Sequence, residues 1–230
     1  MNVAHQLAEV RARMAAACER SGRDAGEVTL VAVSKQQPAD LVDEAIAAGL
    51  ADFGENRSDA LRERATRHPE VRWHFVGQLQ RRKVKEVAGQ AVLVHSLDRA
   101  ALADAIDRAA RDLDVVLDVL VQVDMTGQPR RGGVPIDEAE PLVAYASGLQ
   151  GTRVTGLMTI PPVDAEPREY FRALRRKRDD LAQRWPDVTE LSMGMSQDFE
   201  VAIEEGATIV RLGTAIFGHR NTTPTNQDAT

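Results

Sequence analysis

The chain has 230 residues, 43% of them hydrophobic and 28% charged, with a formal net charge of −6. That length suits one large domain with a substantial core and leaves little room for a second full domain. The acidic balance weighs against a general nucleic-acid binder, and the single cysteine, Cys18, excludes a disulfide within the chain and reads as a small core residue.

An extra helix is expected first, over roughly residues 2–20. Glu9, Arg11 and Arg13 interrupt it, so it does not read as a signal peptide. No apolar run approaches the length of a membrane span, and the cytoplasm is the expected location. Eight short apolar strands then follow, at Val28–Ser34, Ala51–Gly54, Arg72–Gly77, Ala91–His95, Val115–Val123, Gly151–Met158, Val188–Met193 and Thr208–Leu212. Amphipathic helices separate them. After Lys35, Pro38 opens a helix whose stripe is Leu41, Val42, Ala45 and Ile46, and Gly49 stops it. Another begins at Asp98 and buries Leu102 and Ile106; a third opens at Pro167 and aligns Phe171, Leu174 and Leu181. The last major one is expected from Ser196 to Gly206, with Asp198 in its first turn.

Alternating strand and helix in this length predicts a single (β/α)8 TIM-type barrel with an extra N-terminal helix. An open doubly wound sheet is the competitor, because alternation alone does not prove closure. Residues 1–220 read as one domain, and the polar tail Asn221–Thr230 reads as disordered.

Barrels of this kind carry their chemistry at the C-terminal ends of the strands. Lys35 closes the first strand, where burial would desolvate its amine and favour attack on an aldehyde. Asn56, His74, Gln78 and Ser96 recur at the same end of the next three strands, although strand ends are polar in any barrel. Barrels commonly bind phosphate with the loops after strands seven and eight. Here these carry Ser192 and Gly213-Thr214, and glycine lets backbone N–H groups approach a dianion. Ordinary turn and N-cap chemistry is the competing explanation, and phosphate is favoured because both loops fall where barrel geometry predicts. Arg211, just before the end of the last strand, must find a carboxylate or ligand atom if it points inward. Met158 fits core filling or contact with a flat ring. The basic clusters Gln80–Lys85 and Arg172–Arg178 fall on predicted helices and read as solvated faces. The five histidines show no zinc-ligand spacing, and neither a P-loop nor a GxGxxG fingerprint is present.

The segments Ala-Val-Ser-Lys35, Phe-Gly-Glu-Asn56, Trp-His-Phe-Val-Gly77, Leu-Gln80, His-Ser-Leu-Asp98, Gly-Leu-Met-Thr-Ile-Pro161, Leu-Ser-Met-Gly-Met-Ser196 and Arg-Leu-Gly-Thr-Ala-Ile-Phe-Gly218 span nearly the whole chain. In that order they resemble the pyridoxal phosphate homeostasis proteins, which are similar to the barrel domain of fold-type III enzymes such as alanine racemase. The resemblance implies pyridoxal 5'-phosphate (PLP) as cofactor, joined to Lys35 as a Schiff base. It also implies phosphate contacts from Ser192, Gly213 and Thr214, Arg211 facing the pyridine nitrogen, and Asn56 and Met158 lining the cofactor. The chain departs from the usual pattern at Gln36, at Arg57-Ser58-Asp59 and at Arg130-Arg131-Gly132-Gly133.

A racemase needs an acid/base group on each face of the substrate carbon. In the related racemases the second comes from an additional domain for which this chain has no room. An arginine at the pyridine nitrogen would also weaken the cofactor as an electron sink. The resulting expectation is a PLP carrier that is not an enzyme, with PLP-dependent apo-enzymes as possible recipients, in a monomer or weak homodimer. A slow amino-acid racemase is the alternative, followed by a Schiff-base aldolase and an RNA- or protein-binding module.

Overall fold

The structure, a computed structural model, describes residues 2–127, 132–162 and 164–218. Arg130-Arg131 and the tail Asn221–Thr230 lie outside the described residues. The strands are Thr29–Val33 (β1), Asp52–Glu55 (β2), Arg72–Phe75 (β3), Leu93–Leu97 (β4), Leu117–Asp124 (β5), Val134–Pro135 (β6), Thr152–Thr159 (β7), Glu190–Ser192 (β8) and Ile209–Leu212 (β9). The α-helices are Val3–Arg20 (α1), Ala39–Ala47 (α2), Ser58–Arg67 (α3), Val84–Ala88 (α4), Ala100–Asp112 (α5), Ala139–Ser147 (α6), Pro167–Ala182 (α7), Phe199–Glu204 (α8) and Thr214–Phe217 (α9).

Each of the eight predicted strands is present, and all pairings are parallel. The sheet runs β4-β3-β2-β1-β9-β8-β7-β5, and a further β4–β5 pairing joins its ends. That pairing closes the barrel and removes the open-sheet alternative. The two-residue β6 is an addition that no periodicity could announce. It takes over from β4 beside β5, which pairs with β4 as far as Val121 and with β6 at Val123 and Asp124.

The core has two parts. The larger lies between barrel and helices, with Phe53, Trp73, Leu102, Ile106, Phe171 and Phe199 among its fully buried side chains. The smaller fills the barrel interior with Val31, Leu93, Leu120, Met158 and Ile209. At about 1.5–3 kcal/mol for each large apolar side chain buried, the outer layer supplies most of the driving force. Helix α1 opens with Asn2 accepting the His5 N–H and buries Val3, Leu7, Val10, Met14, Ala17 and Cys18. Its apolar stripe therefore belongs to the core, packed on α2, α8 and α9.

The last major helix starts later than expected. Asp198 accepts the Met195 N–H at 2.6 Å, which holds residues 195–198 as a turn, and α8 begins at Phe199. This places Ser196 in a loop instead of a helix. The predicted basic faces are largely ion-paired: Lys83 meets Glu86, while Arg172 meets Glu169 and Glu205. Among the described residues no helix is long and apolar enough to cross a membrane, and no group of three His, Cys, Asp or Glu could hold a metal.

Candidate functional site

A cavity of about 530 Å³ opens at the C-terminal end of the barrel, lined among others by Val33, Lys35, Val76, Ile160, Met195, Ser196, Asp198, Arg211, Gly213 and Thr214. Strand β1 ends at Val33, so Lys35 belongs to the turn beyond it. The Gln37 N–H donates to the Ser34 carbonyl at 3.0 Å and closes that turn. Gln36 takes φ +59°, a conformation that usually costs a non-glycine residue about 1 kcal/mol or more. The expected burial of Lys35 does not hold. Its side chain is exposed, because the last buried residue of this segment is Ser34, and it has no hydrogen-bond or ion-pair partner among the described residues.

Arg211 is buried, as its place on β9 predicts. It donates to Ser192 Oγ at 2.5 Å and to the Thr159 carbonyl at 3.0 Å. Burial pulls its guanidinium down to about 10, against the attraction of the Asp198 carboxylate. Asp198 itself is pushed up by burial, although the Met195 N–H favours its charged form.

Beneath Arg211 a polar chain threads the barrel interior. His95 Nδ1 lies 2.8 Å from Ser192 Oγ, His95 Nε2 lies 3.0 Å from His74 Nδ1, and His74 Nε2 lies 2.9 Å from Asp52. With both rings neutral and the Asp52 carboxylate able only to accept, one direction satisfies every atom. The Ser192 hydroxyl donates to His95, His95 donates to His74, and His74 donates to Asp52. Burial foremost, then the neighbouring His74 and Arg211, holds His95 well below its ordinary value, in keeping with a neutral ring. Burial pushes the Asp52 carboxyl up, but hydrogen bonds from His74 and Arg72 more than offset this and leave it low.

At the end of β9, the strand paired with β1, the Gly213 and Ala215 N–H groups both donate to Ser196 Oγ, at 3.3 and 3.1 Å. The loop reverses at Gly194, where φ is +94° and an added Cβ would stand 2.6 Å from the Ala202 Cβ. Only glycine fits there.

Lys35, Arg211, Gly213 and Thr214 thus share one cavity. Ser192 does not line it: fully buried, it lies under the floor and is occupied by Arg211 and His95. Met158 is one layer down as well, in the interior cluster below Ile160. Asn56 is exposed and lines two neighbouring crevices outside the mouth cavity. Sequence reasoning took Ser196 and Asp198 only as the start of a helix and His74 only as a strand-end polar group, and it passed over His95. The first two lie in the Leu191–Ser196 segment or just after it, where hydroxyl spacing does not reveal which serine returns to the mouth.

The family described as alanine racemase, N-terminal domain, matches residues 6–221. The chain is 44% identical over 226 residues to the pyridoxal phosphate homeostasis protein of Aquifex aeolicus, covering 96% of this chain and 99% of that one. It is 38% identical over 229 residues to the protein of that name from Escherichia coli K12, covering 96% and 97%. Among solved structures, PipY of Synechococcus elongatus with PLP bound superposes with a TM-score of 0.82 at 34% identity, covering 94% of this chain and all of that one. These matches run the full span of a barrel whose mouth cavity holds Lys35 together with the Ser196–Gly213 loops, and the chain therefore belongs to the pyridoxal phosphate homeostasis proteins of the alanine racemase N-terminal domain family.

Proposed function

We propose that this chain holds pyridoxal 5'-phosphate reversibly at the barrel mouth and serves cytoplasmic PLP homeostasis and delivery, with little or no catalysis. One observation carries the reading: an amine without a partner among the described residues shares a single cavity with N–H groups and hydroxyls suited to an anion. The names of the relatives and the PLP-bound PipY support it.

The donor set fits such a molecule at both ends. Lys35 would supply the amine of a Schiff base. Ser196, Gly213, Thr214 and the Ala215 N–H would take the phosphate, whose oxygens could replace Ser196 Oγ as acceptor. When bound, the cofactor supplies an aldehyde that an amine captures and releases by hydrolysis. Arg211 would face the ring nitrogen and keep it unprotonated, its guanidinium held by Ser192 and Thr159. In this reading Ser192 serves the site through Arg211, Met158 supports the floor, and Asn56 belongs to the rim.

Neither tyrosine lines the cavity: Tyr145 is on α6, bonded to Asp104, and Tyr170 is on α7. Efficient proton exchange at a substrate carbon therefore lacks the usual second group. Asp198 favours a residual activity, since its carboxyl lines the cavity and burial raises it. Lys35→Ala should abolish the absorption band of PLP bound to the purified protein. Borohydride reduction followed by peptide mapping should place the label on Lys35. A band that survives the substitution refutes the lysine assignment. α-Deuterium exchange from L-amino acids at about 1 per second or faster would favour the racemase instead.

A further inference from the structure

The turn that carries Lys35 is held from behind by an ion pair that no feature of the cavity requires. Glu55, at the end of β2, is 1% exposed, and its Oε1 lies 2.9 Å from Arg64 Nε of α3. The same oxygen accepts the Ser34 hydroxyl at 2.7 Å. Arg64 Nη2 in turn donates to the Gln37 carbonyl at 2.6 Å and reaches the Ser34 carbonyl at 3.4 Å. One guanidinium thus grips both ends of the Ser34–Gln37 turn while it neutralises a buried carboxylate.

Neither Glu55 nor Arg64 lines the mouth cavity; both face a separate crevice behind the turn, together with Gln36 and Gln37. A plain packing role for Arg64 would need the stem of the side chain and one partner. It would not need contacts to β2 and to both ends of the turn at once. The conformation it braces is also one the sequence does not favour, with Gln36 left-handed directly after Lys35.

We infer that the Glu55–Arg64 pair is the positioning element for Lys35, fixing the turn so that the amine stands within the mouth cavity. This rests on the reading of Lys35 given under Proposed function. The pair acts on the amine alone and leaves the Ser196–Gly213 loops untouched, so its loss separates two kinds of binding. PLP uses both the amine and the loops. Pyridoxamine 5'-phosphate has the same ring and phosphate but no aldehyde, and it uses only the loops.

The discriminating variant is Arg64→Lys, which keeps a cation beside Glu55 but cannot hold two carbonyls with one planar fork. PLP affinity read from the absorption band should fall about tenfold, while pyridoxamine 5'-phosphate affinity stays within about twofold. Without any ligand, amide hydrogen exchange at Gln37 should speed up about tenfold, because that N–H closes the turn. Ser34→Ala, which removes the hydroxyl contact to Glu55 and a longer one, 3.5 Å, to the Gly54 carbonyl, should move the same readouts in the same direction by a smaller factor, and it serves if Arg64 variants fold poorly. Equal weakening of both ligands would overturn the inference, as would unchanged Gln37 exchange. Failure of the wild-type protein to label at Lys35 would instead refute the proposed function, and Gln37 exchange would still decide whether the pair holds the turn.

Discussion

On one wall of the mouth, Gly213 and Ala215 already aim their N–H groups at Ser196 Oγ, and Arg211 is fastened to Ser192 and Thr159. On the other, beside it at the end of β1, Lys35 stands exposed and, among the described residues, without a hydrogen-bond or ion-pair partner, on a turn that needs a left-handed glutamine. The first wall meets an anion at little ordering cost, because its donors are in place beforehand. The second keeps its amine free to engage and let go. A reversible holder is served by that asymmetry: a rigid grip at one end supplies affinity, and a releasable bond at the other supplies control.

Breaking the rigid wall should have the largest effect. Gly194→Ala combines positive φ with a 2.6 Å approach to Ala202, so a loss of about 2–3 kcal/mol is expected in urea unfolding, along with phosphate-dependent binding. Acid should act next. His95 is held neutral, so below its ordinary 6.5 the unfolded chain takes up a proton that the folded chain refuses. Stability should therefore fall as pH drops below about 6.5, by at most about 1.4 kcal/mol per pH unit from this residue. His95→Gln should flatten that slope in chemical unfolding measured from pH 7 to 5. Ser196→Ala removes the shared acceptor of two N–H groups, and a loss of about 1 kcal/mol is expected in the ligand-free protein, with weaker pyridoxamine 5'-phosphate binding by titration. Gln36→Gly sharpens the contrast from the other side. Relief of the left-handed backbone and the added freedom of the unfolded chain nearly cancel, so stability should stay within about 0.5 kcal/mol.

The barrel was legible because each strand is a short apolar run and each helix carries its stripe at a spacing of three or four residues. Closure was not, since it rests on the long-range pairing of Leu93 and Val94 with Asp118 and Val119. The position of Lys35 at the mouth could be read from strand polarity alone. Its exposure could not, because the turn after Val33 is set by contacts from Glu55 and Arg64, distant in sequence. Ser192 and Ser196 show the same limit. Strand alternation sends Ser192 into the barrel, and only the reversal at Gly194 returns Ser196 to the surface of the cavity. The line from Asp52 through His74 to His95 follows the adjacent strands β2, β3 and β4, but its last step, from His95 to Ser192 of β8, crosses the interior and exists only once the sheet has closed.

An exposed amine at the mouth of a cavity offers itself to every reactive carbonyl compound that drifts past, and among the described residues Lys35 has no hydrogen-bond or ion-pair partner to screen it. Selectivity then comes from the neighbouring Ser196–Gly213 loops. A small sugar or glyoxal that reacts with the amine gains no second anchor and hydrolyses away, whereas a molecule that also reaches the Gly213 loop is retained.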